Sequence, residues 1–262
     1  MLRALYTAAS GMEAQQLNID TIAHNLANIN TSGFKFRKAQ FQDLLYQNIR
    51  QAGASNTATT EIPVGLQIGL GTKPVASEII FTQGDFSATN NPLDIVIQGQ
   101  GFFQIRQVNG QIAYTRNGNF HMDRDGNIVT SEGDLLDPQI RIPEDQIGIT
   151  IGSDGTVSVA LPDQTEPQQV GKIELALFQN PSGLQNIGKS LFIPSQSSGD
   201  AVTGTPGEDG LGTLLAGFVE QSNVSVVEEM VNMIVSQRAY EANSKVIRTA
   251  DEMFTQANNV VR

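Results

Sequence analysis

The sequence predicts an α+β chain. Its N- and C-terminal segments form one discontinuous helical coiled-coil domain, and the residues between them form an all-β domain with an extended β-ribbon. Three observations carry this prediction. Apolar residues recur every seven positions at both ends, strand-like runs separated by Asn-Gly and Asp-Gly pairs fill the middle, and no alternation of strand and helix points to a doubly wound parallel sheet.

At the N-terminus, Leu5, Met12, Ile19 and Leu26 stand seven apart, with Ala8, Ile22 and Ile29 beside them. This spacing predicts one amphipathic helix over residues 1–30. No proline interrupts it, and Asn30-Thr31-Ser32-Gly33 supplies the stop, with Gly33 suited to a left-handed cap. The C-terminal signal is longer: Val226, Met233, Tyr240, Ile247, Phe254 and Val261 are all apolar at a spacing of seven, and Met230 and Ile234 widen the stripe. Ser222 or Asn223 precedes the run, and Ser225 stands three residues before Glu228 in capping-box spacing. A seam of this period needs a helical partner. Two paired helices bury too little surface to stand alone, so the remaining apolar surface is expected to seek other subunits, and the seam residues are the predicted assembly interface.

Between the ends, strands are predicted at Ile95 to Ile97, Phe102 to Val108, Gln111 to Arg116, Asn127 to Thr130, Gly148 to Ile151, Thr156 to Val159 and Lys172 to Phe178. The turn pairs are Asn109-Gly110, Asn117-Gly118, Asp125-Gly126 and Asp154-Gly155. Residues 51–61 read as a polar linker, and residues 62–71 alternate glycine with apolar residues like a short ribbon. The predicted domains are residues 1–42 with 221–262 (helical), 43–78 (extended stretch) and 79–220 (outer β domain).

Composition narrows the function. The 262 residues include no cysteine, which removes disulfides, thiol nucleophiles and thiolate metal sites, and two histidines, His24 and His121, leave little for triad or metal chemistry. No metal, cofactor or catalytic residue is expected. The net charge of −11 argues against nucleic-acid binding, and residues 51–219, with seven basic and eighteen acidic groups, carry the same −11. No window approaches the roughly 18 uninterrupted apolar residues of a membrane span, and the first twenty residues lack the apolar core of a cleaved signal peptide. These residues alone suggest a cytoplasmic protein.

Other motifs reduce to structure. Asp123-Arg124-Asp125-Gly126-Asn127 departs from the calcium-loop order and reads as a hairpin turn. Gly99-Gln100-Gly101 lacks the third glycine of a dinucleotide fingerprint. The acidic pairs Glu132 with Asp134 and Glu208 with Asp209 suit solvated loops better than paired glycosidase carboxylates. Lys35, Arg37 and Lys38, interleaved with Phe34 and Phe36, are too few for a nucleic-acid platform, and are expected to form a junction meeting acidic groups of a neighbouring subunit.

Two segments carry a family resemblance. NLANINTSGFK, from Asn25 to Lys35, is similar to the N-terminal motif of the bacterial flagellar axial proteins of rod and hook, and SNVSVVEEMVNMIVSQRAYEANSKVIRTAD, from Ser222 to Asp251, is similar to their C-terminal motif. The matching positions are Asn25, Asn28, Asn30, Thr31, Gly33 and Phe34 at one end and Asn223, Glu229, Gln237, Arg238, Tyr240 and Asn243 at the other. Asp43 to Glu78 resembles the stretch specific to the distal-rod branch, which implies a brace using Tyr46, Gln51, Pro63, Gly65, Gly69 and Gly71.

The resemblance implies a structural subunit that assembles helically with copies of itself into the distal rod, transmits torque to the hook and lines the export channel with its terminal helices. It implies as partners the proximal rod proteins, the hook protein, the surrounding P and L rings, the rod cap and the flagellar type III export apparatus, with no nucleic acid and no membrane insertion. It also replaces the cytoplasmic expectation with the basal body, in the rod that spans the periplasm, reached without a cleaved signal. The rivals are a hook or proximal rod protein of the same family and a cell-wall glycan hydrolase using Asp134 or Asp137.

Overall fold

The computed structural model describes residues 2–51, 53, 55–57, 60–61, 63–162 and 166–260. The seam position expected at Val261 lies outside them. The chain is α+β: helix α1 spans Leu2–Ala27, helix α2 spans Val226–Val260, and the other regular elements among the described residues are strands and one 3-10 turn at Pro181–Gly183. They group into two compact units, one of Met1–Ala27, Arg37–Glu78 and Ser225–Arg262, the other of Asn28–Phe36 and Ile79–Val224.

In the first unit α1 and α2 run antiparallel. Gly11 faces Asn243, the Asn18 amide donates to Ser236 Oγ at 2.8 Å, and the Asn25 amide donates to Glu229 Oε2 at 2.9 Å. Ala8, Ala14 and Ile22 on α1 and Ala250 on α2 complete the buried face. Small side chains on such a line let two helix backbones approach closely. Beyond α1, strand Arg37–Asp43 pairs with Thr72–Ile79, and a ribbon leaves that pair: Tyr46–Arg50 runs antiparallel to Leu66–Gly69, with Tyr46 opposite Gly69. Further along, Ser55–Thr57 pairs with Thr60–Glu61.

The second unit is a β domain around a nine-stranded sheet. Phe102–Arg106 stands at its centre, hydrogen-bonded to Ile112–Thr115, Leu135–Asp137 and Leu175–Leu177. The Asn109-Gly110, Asp125-Gly126 and Asp154-Gly155 turns join hairpins, and each glycine has a positive φ that a side chain disfavours. Asn117-Gly118 departs from this: it joins strands that do not pair with one another. A Cβ at Gly118 would overlap the Ile95 carbonyl, so this glycine serves backbone crowding at a corner. The core packs Ile95, Ile97, Phe103, Ile105, Phe120, Leu136, Val157, Ile173 and Leu175, and Phe103 meets Phe120 edge to face at 5.2 Å. A second cluster stacks Phe81, Phe102, Tyr114, Phe178 and Phe192.

Candidate assembly interface

The predicted seam residues share a face less than their spacing suggests. On α1, Leu5, Met12, Ile19 and Leu26 are half-buried. On α2, Met233 and Ile247 are half-buried, while Val226, Tyr240 and Phe254 are exposed. The line that α2 presents to α1 is instead Glu229, Ser236, Asn243 and Ala250, and its counterparts on α1 are Gly11, Asn18 and Asn25. Both lines also have a period of seven. Sequence reading missed them because it counts apolar residues, whereas the signal here is a heptad of small and amide side chains.

Asn25 is the most elaborate member of that line. It is fully buried, it donates to Arg37 O at 2.8 Å and accepts from Arg37 N at 3.0 Å, so one side-chain amide satisfies the backbone of the residue that opens the first strand. Glu229, 2% exposed, also accepts from Asn232 at 3.3 Å. A polar line of this kind favours one register, because any slip leaves buried groups unpaired.

Outward from that line, α2 carries exposed apolar residues. Val227, Met230, Val231, Ile234 and Val235 are each more than half exposed. Of the family-motif positions on α2, Gln237 is exposed and Arg238 pairs with Glu241 one turn on at 3.0 Å. A continuous apolar surface at the start of a helix is what a protein–protein contact uses.

The extended stretch is exposed as well. Every residue of Tyr46–Arg50 is exposed, as are Gln51, Pro63, Val64 and Leu66, while Gly65 is half-buried. Two predicted glycines have steric reasons. Gly71 has φ +120° with the Ser10 hydroxyl where a Cβ would stand, and a Cβ at Gly69 would press on the Tyr46 ring. Leu44 N donates to Gly71 O at 2.8 Å, and Arg3, Tyr6, Leu44, Leu45 and Leu70 line an open apolar hollow of about 440 Å³ at the base of the ribbon.

The second unit holds a buried charge cluster. Glu220, 1% exposed, accepts from Lys35 Nζ at 2.5 Å, from Arg116 Nε at 3.1 Å and from Gly84 N at 3.1 Å. Arg116 also donates to the Gly99 and Gly101 carbonyls, each at 2.8 Å, and Lys35 to Thr82 O at 2.8 Å. Burial pushes the Lys35 ammonium below the usual lysine range; Glu220 opposes that shift and Arg116 adds to it. The acidic partner of Lys35 therefore belongs to its own chain, where a neighbouring subunit was expected. Asn223 accepts from Phe36 N at 2.7 Å and donates to Ile80 O and Thr82 Oγ1. Gly33, with φ +69°, lies against the Asn117 backbone; Phe34 is buried, Thr31 Oγ1 bonds Asn28 Oδ1 at 3.2 Å, and Asn30 is exposed.

Three of the candidate carboxylates have structural partners. Asp137 pairs with Arg106 at 2.5 Å, Glu132 with Lys189 at 2.7 Å, and Glu208 accepts from Thr205 at 2.5 Å. Among the described residues no group of three or more His, Asp or Glu side chains is placed to hold a metal ion. No helix among them is long and apolar enough to cross a membrane.

Known proteins match along the whole chain. Residues 5–35 match the family described as flagella basal body rod protein, residues 96–159 the flagellar hook protein FlgE/F/G D1 domain, and residues 215–260 the flagellar basal body rod FlgEFG protein C-terminal family. The chain is similar to the flagellar basal-body rod protein FlgG of Borreliella burgdorferi, at 50% identity over 100% of both chains. It is similar to the protein of that name from Buchnera aphidicola of Schizaphis graminum, at 47% over 97% of this chain and 98% of the other. For the Bacillus subtilis protein of that name the identity is 39% over 100% of both.

Proposed function

The chain belongs to the flagellar basal-body rod protein family, and from that premise we propose that it is a structural subunit of the distal rod. Copies assemble helically into a drive shaft that transmits torque to the hook. The terminal helices are the inner, channel-lining part of that shaft, and the 43–78 stretch braces one subunit against the next. Its partners are other copies of itself, the proximal rod and hook proteins, the P and L rings, the rod cap and the export apparatus, and it works without a cofactor or a catalytic step.

The observation that carries this reading is the division of labour on α2. One face meets α1 through Glu229, Ser236 and Asn243, while Val227, Met230, Val231, Ile234 and Val235 remain exposed. A helix that has already found its intramolecular partner and still exposes five large apolar side chains is built for further subunits. The exposed ribbon supports the same reading, since two strands alone are marginal in water and gain stability from a neighbour.

Electron microscopy of the concentrated protein tests it. Straight hollow tubes are expected from the parent and none from a Val231→Asp, Ile234→Asp variant whose monomer keeps its helix content. A parent that stays monomeric at every concentration overturns the self-assembly reading. Deleting residues 46–63 separates the distal-rod assignment from its relatives: the tubes should lose straightness or stiffness, and tubes indifferent to the deletion refute the brace.

A further inference from the structure

The faces of α1 and α2 that point away from each other carry matched charges. Glu13 and Asp20 each stand two positions after a contact-line residue of α1, Gly11 and Asn18. Arg238 and Lys245 stand two positions after their counterparts on α2, Ser236 and Asn243. Two residues turn an α-helix by about 200°, so all four side chains lie roughly opposite the intramolecular contact. All four are exposed, and both pairs are spaced by seven. Over this span α1 offers two acids and α2 two bases at the same period, with Glu241 and Glu252 flanking the bases on α2.

We propose that the acidic face of α1 docks on the basic face of α2 of a second copy, with Glu13 against Lys245 and Asp20 against Arg238. This rests on the self-assembly reading above and names its contact. Copies in a filament repeat without inversion, so one copy's α1 meets the next copy's α2 antiparallel, as the two helices meet within a chain. The register differs from the intramolecular one, in which Gly11 faces Asn243 and Asn18 meets Ser236, by a slide of four residues, about 6 Å along the helices. Leu17, 39% exposed between the two acids, falls beside the exposed Ala242 between the two bases. Arg238 pairs within the chain with the solvent-exposed Glu241, a contact too weak to withhold it from a neighbour. Opposite charges at matched spacing fix register and reject wrong partners.

The test combines charge reversal and cross-linking in the full chain. Glu13→Lys with Asp20→Lys, and separately Arg238→Glu with Lys245→Glu, are expected to raise the critical concentration for tube formation by about tenfold or more, since each turns two attractions into repulsions. The variant carrying all four changes is expected to restore it. Because the natural chain has no cysteine, Glu13→Cys with Lys245→Cys should give, on mild oxidation, a ladder of cross-linked multimers. Tubes from both reversal variants at the parent's concentration, or cross-linking confined to dimers, overturn this contact and leave the self-assembly reading standing. A parent that never assembles overturns both. Circular dichroism of the monomers checks that the reversals leave the helices folded, which is the expected result.

Discussion

The β domain and the helix pair close their surfaces in opposite ways. In the β domain the large apolar side chains are inside, Phe103, Phe120, Ile105 and Leu175 fully buried, and its buried Lys35 and Arg116 find their counter-charge in Glu220 of the same chain. In the helix pair the contact line is made of Gly11, Asn18, Asn25, Glu229, Ser236 and Asn243, and Val227, Val231, Ile234 and Val235 of α2 are left outside. The β domain thus closes its apolar surface within itself, and the helix pair leaves apolar surface open on α2. A core is stabilised by apolar area removed from water, whereas the helix pair leaves large apolar side chains of α2 exposed and takes its register from hydrogen bonds.

The sharpest break in the comparison is expected at Glu220. Glu220→Gln keeps the shape but leaves two buried cations without a counter-charge, and should lower the stability of the β domain by about 3–5 kcal/mol. Urea unfolding followed by tyrosine near-UV circular dichroism reads this through Tyr114, and a loss below about 1 kcal/mol would mean that water reaches the cluster. Asn25→Ala comes next. It strands Arg37 N, Arg37 O and Glu229 Oε2, and about 2–4 kcal/mol is expected from the far-UV transition of the helices. An unchanged transition would show that these hydrogen bonds do not hold the pair.

Smaller effects sharpen the contrast. A Cβ at Gly11 would stand 2.9 Å from the Asn243 amide, so Gly11→Val should push the helices apart at a cost of about 1–3 kcal/mol. Equal or greater stability would show that close approach at this position is dispensable. At the low end, Ile234→Asp should change monomer stability by no more than about 0.5 kcal/mol, because the side chain is 56% exposed, while abolishing assembly. A large loss of monomer stability would place Ile234 in an intramolecular contact.

Much of this was legible in the residues. The helices at both ends, the glycine at position 33 in its left-handed conformation, and the Asn109-Gly110, Asp125-Gly126 and Asp154-Gly155 hairpins follow from rules that act within a few residues of chain. The late strands, such as Leu191–Ile193 and Thr213–Ala216, leave no clear pattern in the sequence, because they are short and pair with strands far away along the chain. The Gln185–Gly188 strand carries no apolar alternation and exists because Leu191–Ile193 offers it an edge.

The same division separates what the sequence by itself determined from what tertiary structure decided. The period of seven at each end, the absence of cysteine and the placement of turn glycines determined an α+β chain with a helical pair at its termini. Which of the heptad lines makes the pair was decided only in three dimensions. Val226, Met233 and Tyr240 offer more apolar area than Glu229, Ser236 and Asn243, yet the latter face α1, because small and amide side chains there find Gly11, Asn18 and Asn25 at hydrogen-bonding distance or closer packing. Local spacing sets where a stripe can lie on a helix, and only a partner's complementary shape and hydrogen-bonding groups select which stripe is buried.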